Sequence, residues 1–399
     1  MFDILIIGAG PAGSNLARLL GNAPELNYKV GLLDKRKLDA PDDPLRQKAC
    51  GGLLAPDAQK MMATLGLSLP SEVLESPQLF KVRTIDLDYG YERDYQRFYY
   101  NMNREKFDRY LFSLIPPSVD IRTGVIVKRI VPQGDCWLVT YLKSDVVQTV
   151  KARFIVAADG ANSLVRKQIL PEYGTPEKYI SVQQWFNIDC DMPYYTGLFD
   201  SSITDYYAWT IQKGKQLIFG AALAYEPSKA SEVMKQFGAL KQKASHYLNL
   251  DLDVPVKTES AFISRTTSLR GLRFAAQIKM KSGNLLGMAL IGEAAGATSP
   301  TSAEGFSYAF KTSLGLFNAL ESGLDHVELR YDLSCDSIRA NLLSKQMKSP
   351  GMYVPRLRNT IMRSGIGALR GAQKTTPYKA SDHTCEQSPS FHTASSHGH

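Results

Sequence analysis

Gly8, Gly10 and Gly13, with Ala12 between the last two, stand where an apolar run (Ile4, Leu5, Ile6, Ile7) gives way to a helical pattern (Leu16, Leu19, Leu20). This spacing suits recognition of a pyrophosphate. Gly8 permits a tight turn, Gly10 lets a phosphate approach the backbone at a helix N-terminus, and Gly13 lets helix and strand pack closely. Asp34 and Lys35 follow at the end of a second expected strand, where a carboxylate accepts the hydroxyls of an adenosine ribose. Together the strand, helix, strand and acidic residue make a dinucleotide-binding unit, which three glycines alone do not.

Further constellations lie downstream. Arg104-x-x-Phe107-Asp108-x-x-Leu111 starts a predicted helix, Asp159-Gly160 and Gly292-Glu293-Ala294-Ala295-Gly296 each follow an apolar strand, and Ala303-Glu304-Gly305 precedes a helical run. Taken singly, each is also an ordinary polar turn or helix start. Two segments carry candidate reacting groups: Cys50 in Lys48-Ala49-Cys50-Gly51-Gly52-Leu53, and Tyr207-x-Trp209-x-Ile211. Strand alternation puts Tyr207, Trp209 and Ile211 on one face, fit to form an apolar wall of a pocket. The structural alternatives are an inert buried cysteine and an aromatic stripe that is simply core.

In this order and spacing, the segments resemble the group of FAD enzymes that includes aromatic hydroxylases and geranylgeranyl reductases, over roughly residues 1–345. The resemblance implies bound FAD. Arg104 then reaches the cofactor, Asp159 and Gly160 lie near the pyrophosphate and the nicotinamide approach, and Gly292, Glu293 and Gly296 lie over the ribityl chain, with Glu293 where the group usually has Asp. Gly305 falls at the flavin-facing turn, where a helix end offers N–H groups to the charge of reduced flavin. The loop Lys48–Leu53 resembles the cysteine and glycine loop of the geranylgeranyl reductases, which implies that Cys50, Gly51 and Gly52 lie beside flavin and substrate. Tyr207, Trp209 and Ile211 resemble that family's substrate-sheet motif, with Thr204, Ile211 and Gln212 replacing its proline, phenylalanine and second proline. Residues 48–59, Gln184-Trp185-Phe186, 291–296 and 361–365 are similar to the bacterial CbrA branch of this family.

The elements needed to position these groups imply an α/β fold: a glutathione-reductase-type, Rossmann-like FAD-binding domain with an inserted, mostly antiparallel substrate-binding sheet. The FAD domain is expected from residues 1–70, 97–180 and 280–345, and the α+β substrate domain from 71–96 and 181–279. A basic helical segment over 346–379 and a disordered tail over 380–399 complete the chain. From Arg339 onward there are nine basic residues and two acidic ones, in a chain of 399 residues with net charge +8. Between Met352 and Leu369 the basic residues alternate with apolar ones, a pattern that suits a short interfacial helix at a membrane surface or a solvated helix.

Composition of 44% hydrophobic and 22% charged residues is that of a globular protein. The five scattered cysteines have no metal-type spacing, so no metal site is indicated and a cytoplasmic setting is expected, with peripheral contact at the inner face of the membrane. No fold or stacking motif points to nucleic acid. The resemblance implies reduction of carbon–carbon double bonds in a polyprenyl or isoprenoid lipid, with Cys50 and Tyr207 near the reacting centre. NAD(P)H or a ferredoxin-like protein would be the transient electron donor, since no second nucleotide fingerprint is present. The alternatives are a monooxygenase acting on an aromatic or quinone-like molecule, and a non-catalytic, membrane-associated flavin-binding protein.

Overall fold

The two apolar runs of the opening unit become neighbouring parallel strands. In the computed structural model, which describes residues 1–40, 49–173, 177–280, 283 and 285–369, Phe2–Ile7 pairs with Val30–Leu33 and, on its other side, with Val146–Ala157. Leu285–Leu290 adds in parallel to Val146–Ala157, and Asp120–Arg122 to Val30–Leu33. Ile4, Leu5, Ile6, Leu32, Ile155 and Val156 are almost fully buried. Such continuous apolar strands belong to a parallel sheet covered on both faces. An antiparallel meander, Val125–Gln133 and Cys136–Lys143, leads into Val146–Ala157.

Helices Pro11–Gly21 and Phe306–Leu320 pack against one another beside this sheet. A buried Asn15 amide joins them by donating to the Ser313 hydroxyl at 2.7 Å.

The second sheet runs Lys257–Arg265, Glu177–Phe186, Gln216–Ala224, Ala208–Lys213, Tyr195–Phe199, Leu79–Asp86, Tyr91–Asn101, Leu53–Leu54. Its pairs are antiparallel except for Tyr195–Phe199 beside Leu79–Asp86. Val233, Phe237, Leu240 and Ala244 of helix Ala230–Leu248 seal one face against Phe186, Leu198 and Phe219. The strands do not follow the expected division of the chain throughout: Ala275–Lys279 hydrogen-bonds into the first sheet, Leu53–Leu54 into the second, and Tyr91–Asn101 and Glu177–Phe186 run across its boundaries within the second sheet.

The basic C-terminal segment folds back onto the second sheet. Arg358 of helix Pro355–Ser364 is buried, pairs with Asp86 at 3.0 Å and with Asp88, and lies over the Phe199 ring. Arg339 pairs with Asp332 and Asp336, and Lys345 with Asp57. Part of the charge excess is therefore spent inside the fold rather than on an outward face. Among the described residues, no helix is long and apolar enough to cross a membrane. Lys48, Arg370, Lys374, Lys379 and the expected tail over 380–399 lie outside the described residues.

Candidate active site

A cleft opens between the two sheets, with Gly10, Pro11 and Ala12 at one end. Cys50–Leu53, Arg104, Gly160, Gly292, Glu293 and Ser302–Phe306 surround it, and Tyr207, Trp209 and Ile211 form its wall. Residues far apart in sequence thus meet at one place.

The first turn fits a dinucleotide. Gly8 has φ +108, and a Cβ there or on Gly13 would collide with backbone, of Ala158 and of Gly8 respectively. Gly10 differs: a Cβ there would meet nothing within 4 Å. Open space therefore lies over the start of helix Pro11–Gly21, which has no side-chain cap. An anion such as the pyrophosphate of FAD fits that unshielded helix end.

The other expected cofactor residues divide by position. Gly160, Gly292, Glu293 and Gly305 line the cleft. Gly296 closes the turn after Gly292 with φ +81, its amide bonded to the Glu293 carbonyl at 3.0 Å. Asp159 has one carboxylate oxygen accepting the Leu164 and Val165 amides at 2.7 and 3.2 Å, while its buried Oδ1 has no protein partner. Burial raises the Asp159 pKa, and those amides pull against the rise.

Asp34 is more heavily engaged than the sequence suggests. Its carboxylate accepts the amides of Ala9 and Arg36 at 2.5 and 2.7 Å, and the Arg36 guanidinium as well. It braces the glycine turn, and a ribose hydroxyl would share it with Arg36. Lys35 is exposed and does not line the cleft; Arg36 is the neighbouring basic residue that turns inward.

From Arg36 a buried charge chain runs toward the cysteine loop. Arg36 reaches Asp108 at 2.8 Å, and Asp108 pairs with Arg104 one helical turn away at 2.8 Å. Burial opposes the Arg104 charge, but Asp108 and the hydrogen-bonded Cys50 outweigh it, and the pKa is raised. Burial likewise acts to raise the Asp108 pKa, but Arg104 and Arg36 overcome it and hold the carboxyl below its usual range. Arg104 also lies 4.7 Å from the centre of the Phe306 ring, at the turn predicted to face flavin.

Opposite stands the aromatic wall. Tyr207, Trp209 and Ile211 project from strand Ala208–Lys213 and the residue before it, as alternation requires. The Tyr207 hydroxyl donates to the Ser302 carbonyl at 3.0 Å, and burial raises its pKa. The Trp209 indole Nε1 is buried without a hydrogen-bond partner, an orphan donor at the cleft. Ile211 approaches Gly51 so closely that a Cβ there would lie 2.5 Å from its Cδ1.

Sequence comparison agrees with this geometry. The chain is 38% identical over 368 residues to CbrA of Escherichia coli, covering 92% of this chain and 94% of that protein. The chain belongs to the CbrA family. A family model described as FAD binding domain matches residues 136–325 of this member, which places it among the FAD-dependent oxidoreductases and monooxygenases. Its fold is similar to that of a geranylgeranyl bacteriochlorophyll reductase-like protein from Thermoplasma acidophilum, with TM-score 0.68 and 15% identity over 91% of this chain and 98% of that one. It is also similar to PqsL of Pseudomonas aeruginosa, a probable FAD-dependent monooxygenase, with TM-score 0.63 and 15% identity over 92% and 99%. These two likenesses establish the fold.

In this CbrA-family chain, several residues in or packed around the cleft carry no motif of their own. Tyr195 and Tyr99 line the cleft beside Tyr207. Tyr353, from the C-terminal segment, donates to the Thr301 carbonyl at 2.6 Å and packs on Tyr206 and Phe199. Lys213, one strand step beyond Ile211 on the same face, is buried beneath the Cys50 loop. Strand alternation from Tyr207 was the available signal for Lys213; none existed for Tyr353.

Proposed function

We propose that this protein is a FAD-dependent reductase of carbon–carbon double bonds in a polyprenyl or isoprenoid lipid. The observation that carries this reading is the apolar wall of Tyr207, Trp209 and Ile211, which shares one cleft with Cys50, Gly10 and the 302–306 turn. Burial along such a wall stabilises an isoprenoid chain by about 0.8 kcal/mol per methylene-sized group, with its double bond set between wall and cofactor.

The chain's own residues would act as follows. Gly10, Ala12, Gly160, Gly292 and Glu293 hold FAD, which when reduced by NAD(P)H or a ferredoxin-like donor supplies a hydride. Arg104, fixed by Asp108, orients the cysteine loop and faces the cofactor. Cys50 gives the proton that the reduced carbon requires. Tyr207 serves as wall and fastening, because its hydroxyl proton is directed at Ser302. Exposed Val354, Leu357 and Ile361 beside Arg356 and Arg363 support contact with an anionic membrane surface that holds such a lipid.

A second reading, hydroxylation of an aromatic or quinone-like molecule, draws on the unpartnered Trp209 N–H, which suits an acceptor on a polar aromatic ring. Product mass separates the two. Reduced holoprotein incubated with geranylgeranyl diphosphate without oxygen should yield products heavier by two hydrogens per double bond. Unchanged lipid, together with oxygen insertion into an aromatic compound in air, would overturn the reductase reading.

A further inference from the structure

Behind the Cys50 loop lies a second cleft, polar and open to solvent. Cys50 and Arg104 line it as well as the first, joined there by Glu75, Asn103, Lys213, Lys257 and Glu259. The loop is thus a thin partition, and Cys50 is exposed to both sides of it. The Lys213 ammonium holds the partition from beneath. It donates to the Gly52 carbonyl at 3.1 Å, to the Met102 carbonyl at 2.7 Å and to Asn101 Oδ1 at 2.5 Å. The Gly52 amide in turn donates to the Cys50 sulfur at 3.5 Å. Gly52 has φ +61, and a Cβ there would lie 2.2 Å from the Met102 carbonyl oxygen, so the loop needs glycine where it passes over the lysine.

Among the described residues no carboxylate hydrogen-bonds Lys213; its three acceptors there are two backbone carbonyls and the Asn101 side-chain amide oxygen. Burying an ammonium against neutral acceptors alone is costly, and a packing role would be met more cheaply by an apolar side chain.

We propose that Lys213 is the positioning residue that holds the Cys50 loop and returns a proton to the Cys50 sulfur from the second cleft. After Cys50 has given its proton into the first cleft, an S–H bond forms at the thiolate as an N–H bond of Lys213 breaks. The nitrogen keeps the electron pair. Water in the second cleft, onto which both side chains open, bridges the transfer and then recharges the amine. Burial draws the Lys213 pKa down to about 7, while Cys50 and Glu75 pull it up, so the ammonium is a competent donor near neutrality. The groups facing it are Cys50 and Asn101 with Met102, and Glu75 from the segment before strand Leu79–Asp86; Arg104 is the second cation at the sulfur.

The use of this proton in turnover rests on the reductase reading; the coupling of Lys213 to Cys50 does not. The test is therefore the rate of Cys50 alkylation by iodoacetamide in the holoprotein as a function of pH, with the modified residue read by mass spectrometry. The wild-type profile should show, besides the step of the thiol itself, a second step near pH 7 where Lys213 loses its charge. Lys213→Arg keeps the charge and cannot release it, so its profile should collapse to one step. Lys213→Met should also give one step, with alkylation near pH 7 slowed by about tenfold. Wild-type and Lys213→Arg profiles that superimpose would overturn the proposal, whatever the protein reduces. If Lys213→Met does not fold, the arginine variant alone decides.

Discussion

The Tyr207 hydroxyl donates to the carbonyl oxygen of Ser302, 3.0 Å away, and so fastens the apolar wall of the cleft to the turn before helix Phe306–Leu320. Tyr206 and Tyr353 donate to the same turn, at Ser299 and Thr301. A neutral hydrogen bond is worth about 1 kcal/mol net. Tyr207→Phe should therefore retain FAD and slow anaerobic reoxidation of the reduced flavin by lipid about fivefold. A loss of roughly 100-fold or more is the mark of a lost general acid and would return the proton-donor role to Tyr207.

Gly10 separates cofactor binding from folding. Its φ of −71 suits any residue, and a side chain there meets no protein atom within 4 Å. Gly10→Val should leave the unfolding midpoint of the apoprotein within about 0.5 kcal/mol of wild type while FAD absorbance is lost on purification. Full retention of FAD would place the pyrophosphate elsewhere.

Asp108 sits between two buried cations, Arg36 and Arg104. Removing one member of a buried ionic network leaves uncompensated charge and costs about 3–5 kcal/mol. Asp108→Asn should show that loss in chemical denaturation, with faster dissociation of FAD. A change below about 1 kcal/mol would mean that the arginines find water or other partners.

Lys213 gives stability a pH dependence whose sign follows from its lowered pKa. Folded, it titrates near 7; unfolded, near 10.5. Between these values the unfolded chain binds more protons, so stability rises with pH. The contribution is fully present above the unfolded value and lost as pH falls through about 7. The difference in unfolding free energy between wild type and Lys213→Met should therefore move in favour of wild type from about pH 6 to about pH 9, by at most roughly 2–3 kcal/mol. Parallel pH profiles would show that Lys213 keeps its ordinary pKa.

Much of the site was legible because its parts are local. Gly8, Gly10 and Gly13 carry their geometry in their spacing, and alternation from Tyr207 to Ile211 suffices to give a shared face. What escaped depends on distant partners. Nothing near Arg358 announces that Asp86 and Asp88 will bury it, so the C-terminal charge read as surface. Asp34 looked open because Arg36, two residues on, does not reveal from sequence that it folds back onto it. The Tyr353 contact with Thr301 joins the turn before helix Phe306–Leu320 to a terminal helix, with no pattern linking them.

The most direct test of the central claim is anaerobic stopped-flow spectroscopy. The holoprotein is reduced with dithionite, mixed with geranylgeranyl diphosphate or a membrane lipid extract, and followed by flavin absorbance at about 450 nm. The account predicts reoxidation without oxygen, matched by saturated product, and slowed when Cys50 is replaced by alanine. Flavin that stays reduced until air enters, with every such lipid unchanged, would contradict it.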